Sequence, residues 1–212
     1  MRNKKFGRYF ISARLDHNQQ KLFWTFIFLV RLLVLSIPLY FVLTFGNLYV
    51  LQIIVAGQTN YILTSLGFPA SQNEFTLHVS SNQPFTFFIS EDSTGWKSML
   101  FFFSLIMAVP DIGKQKIKLS KRAIALLIGI PIIWIGNLLR VLGIVLVQQG
   151  YGFGAAMLFH DYVYRVGLVA LVLVLWFVWL KANLIEKKGV EKLGFGNIIR
   201  VVLNKKQKHK IN

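Results

Sequence analysis

The stretch that decides the fold is A-I-A-L-L-I-G-I-P-I-I-W-I-G-N-L-L-R-V-L-G-I-V-L-V, residues 123–147. It is apolar along its whole length apart from Asn137 and Arg140. About 20 such residues in a helix are enough to cross the ~30 Å hydrocarbon core of a membrane. The stretch therefore predicts a membrane-spanning helix that carries two polar side chains.

Similar apolar runs lie on either side of this helix. Residues 22–45 and 159–181 approach the same length, whereas residues 94–110 form a shorter run that ends at Pro110. Over the whole chain of 212 residues, 55% are hydrophobic and none is cysteine. This composition excludes a disordered chain, a disulfide framework and a thiolate metal site. It favours an integral membrane protein.

The distribution of positive charge predicts how the helices are oriented. The chain has 24 Lys and Arg against 8 Asp and Glu, for a formal net charge of +16. All but four of these cations lie in three segments, residues 1–21, 111–122 and 181–212. Cytoplasmic loops carry the excess of Lys and Arg in membrane proteins. We therefore expect all three segments, and both termini, to be cytoplasmic.

Two cytoplasmic termini require an even number of crossings. The four apolar runs supply them as 22–45, 94–110, 123–147 and 159–181. The stretches 46–92 and 148–158, which lack cations, then lie outside. The predicted fold is an all-α integral membrane domain that occupies the whole chain, with a basic N-terminus (1–21), a membrane core (22–181) and a basic tail (182–212).

The external stretch 46–92 contains two further predicted elements. Residues 47–69 are interpreted as a helix in the outer interface, because polar residues interrupt them and a fifth crossing would break the parity. The runs F-T-L-H-V (75–79) and F-T-F-F-I (85–89) predict a small β-hairpin.

Both ends of the chain are read as cytoplasmic arms. The N-terminus lacks the short apolar region and cleavage site of a signal peptide, so we expect the first helix to be retained. The basic C-terminal tail is interpreted as contacting anionic lipid headgroups rather than nucleic acid.

Arg140 is the most informative charge, because a cation at membrane depth is costly. Glycines recur every seven residues at 129, 136 and 143, which indicates one close-packing helix face. Arg140 lies about 40° from Gly136 on a helical projection, so it is expected to point into the bundle, with Asn137 one turn away. It could be functional, or it could form a structural ion pair with Asp92, Glu91 or Asp161.

His160 is expected to open the fourth helix from the outer side. It could be a solvated interfacial side chain or a general base, since histidine titrates near neutral pH. Arg165 lies four residues after Asp161, at the spacing of a helical ion pair. A structural ion pair and a functional role therefore remain open for Arg165.

The segment E-D-S-T-G-W-K-S-M, residues 91–99, precedes the second crossing. Ser93 or Thr94 could cap that helix, and Trp96 is typical of an interfacial aromatic belt. The predicted topology nevertheless brings Ser93, Arg140 and His160 to the same outer depth. A nucleophile, a cation and a base at one level are the parts of an acyl-transfer site.

At these residues the sequence resembles the exosortase/archaeosortase family of membrane-embedded transpeptidases, with the archaeal branch the most similar. The resemblance covers about residues 50–181. It rests on the stretches S-T-G-W-K-S-M (93–99), G-I-P-I-I-W-I-G-N-L-L-R-V (129–141) and F-H-D-Y-V-Y-R (159–165), with Y-I-L-T-S-L-G-F (61–68) upstream.

The resemblance implies a role for each matching position. Arg140 and His160 would be the catalytic arginine and histidine, and Arg165 a candidate for a further arginine. A second set would support or bind the substrate: Thr94, Gly95, Trp96 and Asn137. It implies no cofactor and no metal. It also implies a membrane-anchored protein substrate with a C-terminal sorting signal, made of a short motif, a transmembrane helix and a basic cluster, and an acceptor for which a lipid is one candidate.

The sequence departs from the family at the nucleophile, where the family has cysteine and this chain has Ser93. The serine could be an inactivating replacement, or it could belong to a natural serine variant or inactive relative. In either case we expect this form to be inactive or impaired, because a neighbouring cation activates a thiol but not a hydroxyl.

Three functions remain compatible with the sequence. The first is a cysteine-type membrane transpeptidase or protease acting at the outer face of the cell membrane. The second is a non-enzymatic scaffold or assembly factor that binds a partner helix. The third, a transporter or channel subunit, fits least, because no acidic residue lies at a helix centre.

Overall fold

The computed structural model describes residues 17–80, 84–110, 117–162 and 166–192, with side chains from residue 18 to residue 183 within these ranges. The described chain is mostly helical, with one small sheet, as expected. Its elements are α1 (His17–Phe45), α2 (Tyr49–Ser65), β1 (Ala70–Asn73), β2 (Thr76–Val79), β3 (Phe85–Phe88), a 3₁₀ turn (Glu91–Thr94), α3 (Trp96–Ala108), α4 (Leu119–Tyr162) and α5 (Leu168–Lys192).

Two of the described helices are long and apolar enough to cross a membrane, over Asn18–Phe45 and Leu119–Tyr162. The apolar parts of the other two candidates, Trp96–Ala108 and Leu168–Asn183, are shorter. Helix α3 has 13 residues. At 1.5 Å per residue it is about 20 Å long, less than the thickness of the hydrocarbon core. The predicted count of four crossings therefore stays a prediction.

Helix α2 confirms the helix expected within 47–69. Two of the polar residues that interrupt this stretch, Gln52 and Gln58, make contacts within the protein. Gln52 Nε2 donates to the carbonyl of Ile89 at 2.8 Å. Gln58 Oε1 accepts a hydrogen bond from Trp134 Nε1 of α4 at 2.9 Å. These amides tie α2 to the segment after the sheet and to α4.

The predicted hairpin is confirmed as β2 and β3, which pair antiparallel with Leu77 opposite Phe87. A third strand that the sequence did not predict, β1, pairs antiparallel with the other side of β2. Its sequence, A-S-Q-N, contains no β-branched or aromatic residue and so carries little strand signal. The tight turn from β1 to β2 contains Glu74 with a positive φ of 54°.

The main core lies between α2, the sheet and α4. Val55 and Ala56 of α2, Leu77 of β2 and Val141 of α4 are at most 3% exposed and pack in one cluster. A second cluster joins α2, β2 and α4 further along: Leu63, Val79, Leu142 and Val145. This core orients the face of α4 that carries Asn137 and Arg140.

Residues 148–158, which are predicted to lie outside, are helical, and their placement outside stays a prediction. Helix α4 consists of two helical segments that meet at Gly152, with φ 81° and ψ 178°, and the second segment ends at Tyr162. A single glycine is enough for this break, because it adopts positive φ without a steric penalty. After the break, Phe159 packs against Gly143. His160 therefore lies near the end of α4 and does not open the following helix.

The heptad glycines of α4 meet three different neighbours. A Cβ at Gly129 would overlap the ring of Phe102 in α3, and a Cβ at Gly143 would lie 2.9 Å from the ring of Phe159. A Cβ at Gly136 would lie 2.8 Å from a methyl group of Leu171 in α5. The glycines therefore permit close packing, as expected.

By its contacts the chain divides into two compact units, Met1–Leu175 and Trp176–Asn212. All of the elements from α1 to α4 and the start of α5 belong to the first unit. In the second unit, α5 continues to Lys192, and Asn183 Nδ2 donates to the carbonyl of Trp179 at 2.9 Å.

Candidate active site

The candidate site begins with the 3₁₀ turn Glu91–Thr94, which follows directly on strand β3. The backbone is extended at Ser90 (φ −68°, ψ 163°), and the amide of Ser93 donates to the carbonyl of Ser90 at 2.9 Å. The prediction that Ser93 or Thr94 caps the next helix is wrong. The residue at the cap of α3 is Gly95, and no side chain caps the helix there.

Gly95 explains why the capping prediction failed. Its φ of 76° lies in the left-handed region and ends the 3₁₀ turn before α3 begins at Trp96. A Cβ at this position would lie 2.8 Å from Cγ of Asn137. Two independent constraints, backbone conformation and lack of space, therefore require glycine between Thr94 and Trp96.

Asn137 and Arg140 of α4 converge on the backbone carbonyl of Ser93. Asn137 Nδ2 donates to this oxygen at 2.7 Å, and Arg140 Nη2 donates to it at 3.3 Å. Asn137 is 1% exposed and Arg140 3% exposed. The inward orientation of Arg140 agrees with the helical projection. The guanidinium holds the backbone of residue 93 and places a positive charge beside it.

The side chain of Ser93 has a hydroxyl neighbour. Its Oγ lies 2.9 Å from Oγ of Ser90, and either atom can donate. The adjacent Thr94 is fully buried, and its Oγ1 donates to the carbonyl of Glu91 at 2.7 Å. Thr94 therefore stabilises the turn that displays residue 93.

The amide oxygen of Asn137 completes the polar lining of this region. Oδ1 is buried and has no hydrogen-bond partner among the described residues. An unpaired acceptor in a buried site is costly. This atom can accept a hydrogen bond from a group that enters the site.

Trp96 and Lys97 connect the site to α1. Trp96 is 4% exposed and packs against Tyr40 with ring centroids 5.6 Å apart, so it lies inside the protein rather than facing lipid. Lys97 Nζ forms an ion pair with Asp92 Oδ1 at 2.6 Å. It also lies 5.7 Å from the centroid of the Trp96 ring. The pairing of Asp92 with Lys97 accounts for one of the carboxylates considered as a partner of Arg140.

An apolar groove with a volume of about 280 Å³ lies beside this ion pair, between α1 and α3. Lys97 lines it at the end nearest the site. The remaining lining residues are Ser36, Ile37, Tyr40, Phe41, Leu100 and Phe101. A groove of this kind combines an apolar surface with one cation.

His160 lies in the part of α4 that follows the break at Gly152. Its Nδ1 is 3.5 Å from Oδ1 of Asp161, and its side chain is 34% exposed. The neighbouring Phe159 packs against Gly143, which lies one turn after Arg140. Arg165 lies outside the described residues. Hydrogen bonds join Ser93, Asn137 and Arg140, and His160 lies on the same helix element after the break at Gly152.

A match to a family of known proteins shows which family this chain belongs to. Residues 17–179 match the family described as transmembrane exosortase (Exosortase_EpsH). The chain belongs to the transmembrane exosortase family. No curated protein and no solved structure gives a match. The family and the apolar helices together make this exosortase a membrane protein.

Sequence reasoning located most of the residues that meet in this exosortase, but it missed Ser90. The pattern that could have identified it is the spacing of three residues between Ser90 and Ser93, because a 3₁₀ turn brings side chains at that spacing together. Among the described residues, no group of three or more histidines or carboxylates could hold a metal ion. The groups that hydrogen bonds bring together at residue 93 are two hydroxyls, an amide and a guanidinium.

Proposed function

We propose that this exosortase is a membrane-embedded transpeptidase or protease whose nucleophile occupies position 93. It would cut a surface protein near a C-terminal sorting signal and transfer the new carboxyl end to an acceptor. The observation that carries the proposal is the convergence of Asn137 and Arg140 on the carbonyl of Ser93, at 2.7 and 3.3 Å. This arrangement fixes residue 93 next to a buried cation.

Each residue of the site has a distinct part in the proposed reaction. The nucleophile at position 93 attacks the carbonyl carbon of the scissile peptide, and negative charge develops on the carbonyl oxygen. Arg140 stabilises that charge, and His160 accepts the proton of the nucleophile and delivers it to the leaving amine. The acyl-enzyme is then released by the acceptor or by water. The proposal also gives Arg165 the role of an additional cation at the site.

The proposal includes the expectation that serine at position 93 gives a weak or inactive form. A thiol near a guanidinium ionises readily, because the cation stabilises the thiolate. A serine hydroxyl needs a base within hydrogen-bond reach. Here the partner of Ser93 Oγ is the hydroxyl of Ser90, which is not a base. The buried and fixed surroundings of position 93 suit a cysteine, whether the serine is introduced or natural.

The proposal includes a topology and an acceptor. The chain would cross the membrane four times with both termini in the cytoplasm, and residue 93 would lie at the outer face. The sorting signal's helix would dock beside the bundle. An acceptor lipid would suit the apolar groove beside Lys97. The stretch T-G-W-K-S-M supports assignment to the archaeal branch of the family.

The test is to restore a thiol at position 93. The Ser93→Cys variant, in cells or liposomes with reporters that carry C-terminal segments of surface proteins from the same cell, should cleave at least one reporter. Mass spectrometry should detect a thioester between residue 93 and the reporter. The unchanged protein should cleave slowly or not at all.

The matched control is Ser90→Cys, which places a thiol in the same turn, where the parent hydroxyl lies 2.9 Å from Ser93 Oγ. It should not restore cleavage, because Asn137 and Arg140 hold residue 93 and not residue 90. If Ser93→Cys forms no thioester and reporter capture nevertheless depends on Arg140, the protein is a scaffold that binds a partner helix. Cleavage by the unchanged protein that is lost in Ser93→Ala would contradict the proposed weakness of the serine form.

A further inference from the structure

Strand β3 has an open edge. The sheet order is β1-β2-β3, so β3 pairs with β2 on one side and, among the described residues, with no strand on the other. The opposite edge strand, β1, is covered differently, because it packs against α2 and Gln72 Nε2 donates to the carbonyl of Ile53 at 3.2 Å. The open edge of the sheet is therefore that of β3.

The register shows which backbone groups this edge presents. The amide of Ile89 donates to the carbonyl of Phe75 at 2.8 Å, which makes these two residues a hydrogen-bonded pair. Such pairs alternate along an antiparallel ladder. Leu77 opposite Phe87 is then the next hydrogen-bonded pair. The N–H and C=O groups of Thr86 and Phe88 consequently point away from β2.

The side chains along this edge leave it accessible. Thr86 and Phe88 are both exposed, and Phe88 is 65% exposed. Phe85 and Phe87 instead pack on the core cluster of Leu63 and Val79. The inner face of β3 is anchored. Within the part of the chain that the structure describes, the outward backbone groups have no strand partner and can pair with an extended polypeptide, which is the chemistry that an unpaired strand edge recognises.

The edge leads directly to the candidate nucleophile. After Phe88 the backbone remains extended to Ser90, and Ser90 Oγ lies 2.9 Å from Ser93 Oγ. An extended segment that pairs with Thr86 and Phe88 would therefore have its next residues beside position 93. No other described strand edge runs into this turn.

We propose that the substrate segment next to the scissile bond binds as an added β-strand on the open edge of β3, with hydrogen bonds to the backbone of Thr86 and Phe88. This inference rests on the proposed function and adds how the substrate is held. The protein then recognises the substrate partly through the substrate's backbone, and it can therefore accept substrates of different sequence. Alternate residues of the substrate segment face the edge, because strand side chains and backbone groups repeat every two residues.

The test is amide hydrogen exchange on the full protein in its Ser93 form, with the reporters of the previous section. On capture of a reporter, the amides of Thr86 and Phe88 should become protected, and that of Phe87 should change little because β2 already binds it. Capture without protection at Thr86 and Phe88 would overturn the inference. If the protein captures none of the reporters, that result would count against both the proposed function and the strand-addition inference.

A backbone variant provides the second readout. Thr86→Pro removes an outward N–H and keeps the hydrogen bonds to β2, since proline is tolerated at strand edges. Capture should weaken about three- to tenfold, the usual effect of one lost hydrogen bond. The matched control Thr86→Ala keeps the N–H and should bind normally. Equal capture by a folded Thr86→Pro protein would refute strand addition.

The two proposals fail in different ways. If Ser93→Cys cleaves reporters and Thr86→Pro in that background cleaves them equally well, the enzyme stands and the strand-addition inference is wrong. If Thr86 and Phe88 become protected on capture but Ser93→Cys forms no thioester, strand addition stands and the protein binds without cutting. Circular dichroism establishes that the Thr86→Pro protein is folded, both with and without Ser93→Cys.

Discussion

Arg122 is predicted to hold the short helix α3 in place from its C-terminal end. Its Nη1 donates to the carbonyls of Ile106 at 3.1 Å and Met107 at 2.8 Å, and its Nη2 donates to that of Val109 at 2.7 Å. The last carbonyls of a helix have no partner within the helix. Arg122 supplies partners to these groups from the first turn of α4. Arg122→Met keeps most of the side-chain length and removes all three hydrogen bonds.

The expected loss of stability follows from the burial of these acceptors. Arg122 is 8% exposed, and its hydrogen bonds to Ile106 and Val109 are buried. A buried acceptor that loses its partner costs about 1–3 kcal/mol. Two such carbonyls give an expected decrease of about 2–6 kcal/mol in the free energy of unfolding. The third carbonyl, of Met107, is partly buried and adds less.

The assay is denaturant unfolding in detergent micelles, followed by tryptophan fluorescence. The matched control is Lys118→Met, which removes the same charge from an exposed position four residues earlier and should change stability by no more than about 0.5 kcal/mol. If Arg122→Met unfolds within 1 kcal/mol of Lys118→Met, the carbonyl contacts do not stabilise α3 and the reasoning is wrong.

Two further predictions concern glycines. Gly95→Ala should lower stability by about 1–3 kcal/mol and reduce activity in the Ser93→Cys background, because it strains a positive φ and displaces Asn137; normal activity and stability would contradict this. Gly129→Ala should cost about 1–3 kcal/mol, because the new methyl group overlaps Phe102. In the same unfolding assay Gly154→Ala, whose new methyl group meets nothing within 4 Å outside its own stretch of helix backbone, should cost no stability, and equal losses in the two variants would refute the packing argument.

The sequence predicted the site's main polar residues for a physical reason that does not need the fold. An arginine inside an apolar helix must find polar partners, so Arg140 could be expected to point inward. The sequence could not specify the partner. Arg140 binds the carbonyl of Ser93, a backbone atom, and backbone atoms carry no side-chain signal.

Each wrong or missing prediction used local sequence where the backbone conformation or a partner strand decided the structure. The capping prediction for Ser93 and Thr94 used local propensity, but Gly95 adopts a left-handed conformation that ends the turn before α3 starts. The prediction that His160 opens the fourth helix followed from the apolar run that begins at residue 159, whereas the chain bends at Gly152 and His160 lies near the end of α4. Strand β1 was missed because its pairing with β2, rather than its own residues, stabilises it.

The sequence by itself determined that the protein is apolar, helical and basic at its ends, because composition and charge distribution act over whole segments. It also determined which side chains are too polar to lie against lipid. Only the tertiary structure decided that Asn137 and Arg140 meet at the carbonyl of Ser93, and that an open strand edge leads to the same residue. The contacts of Asn137 and Arg140 with Ser93 join residues more than 40 positions apart, and they form only when α4 packs against the turn that follows the sheet.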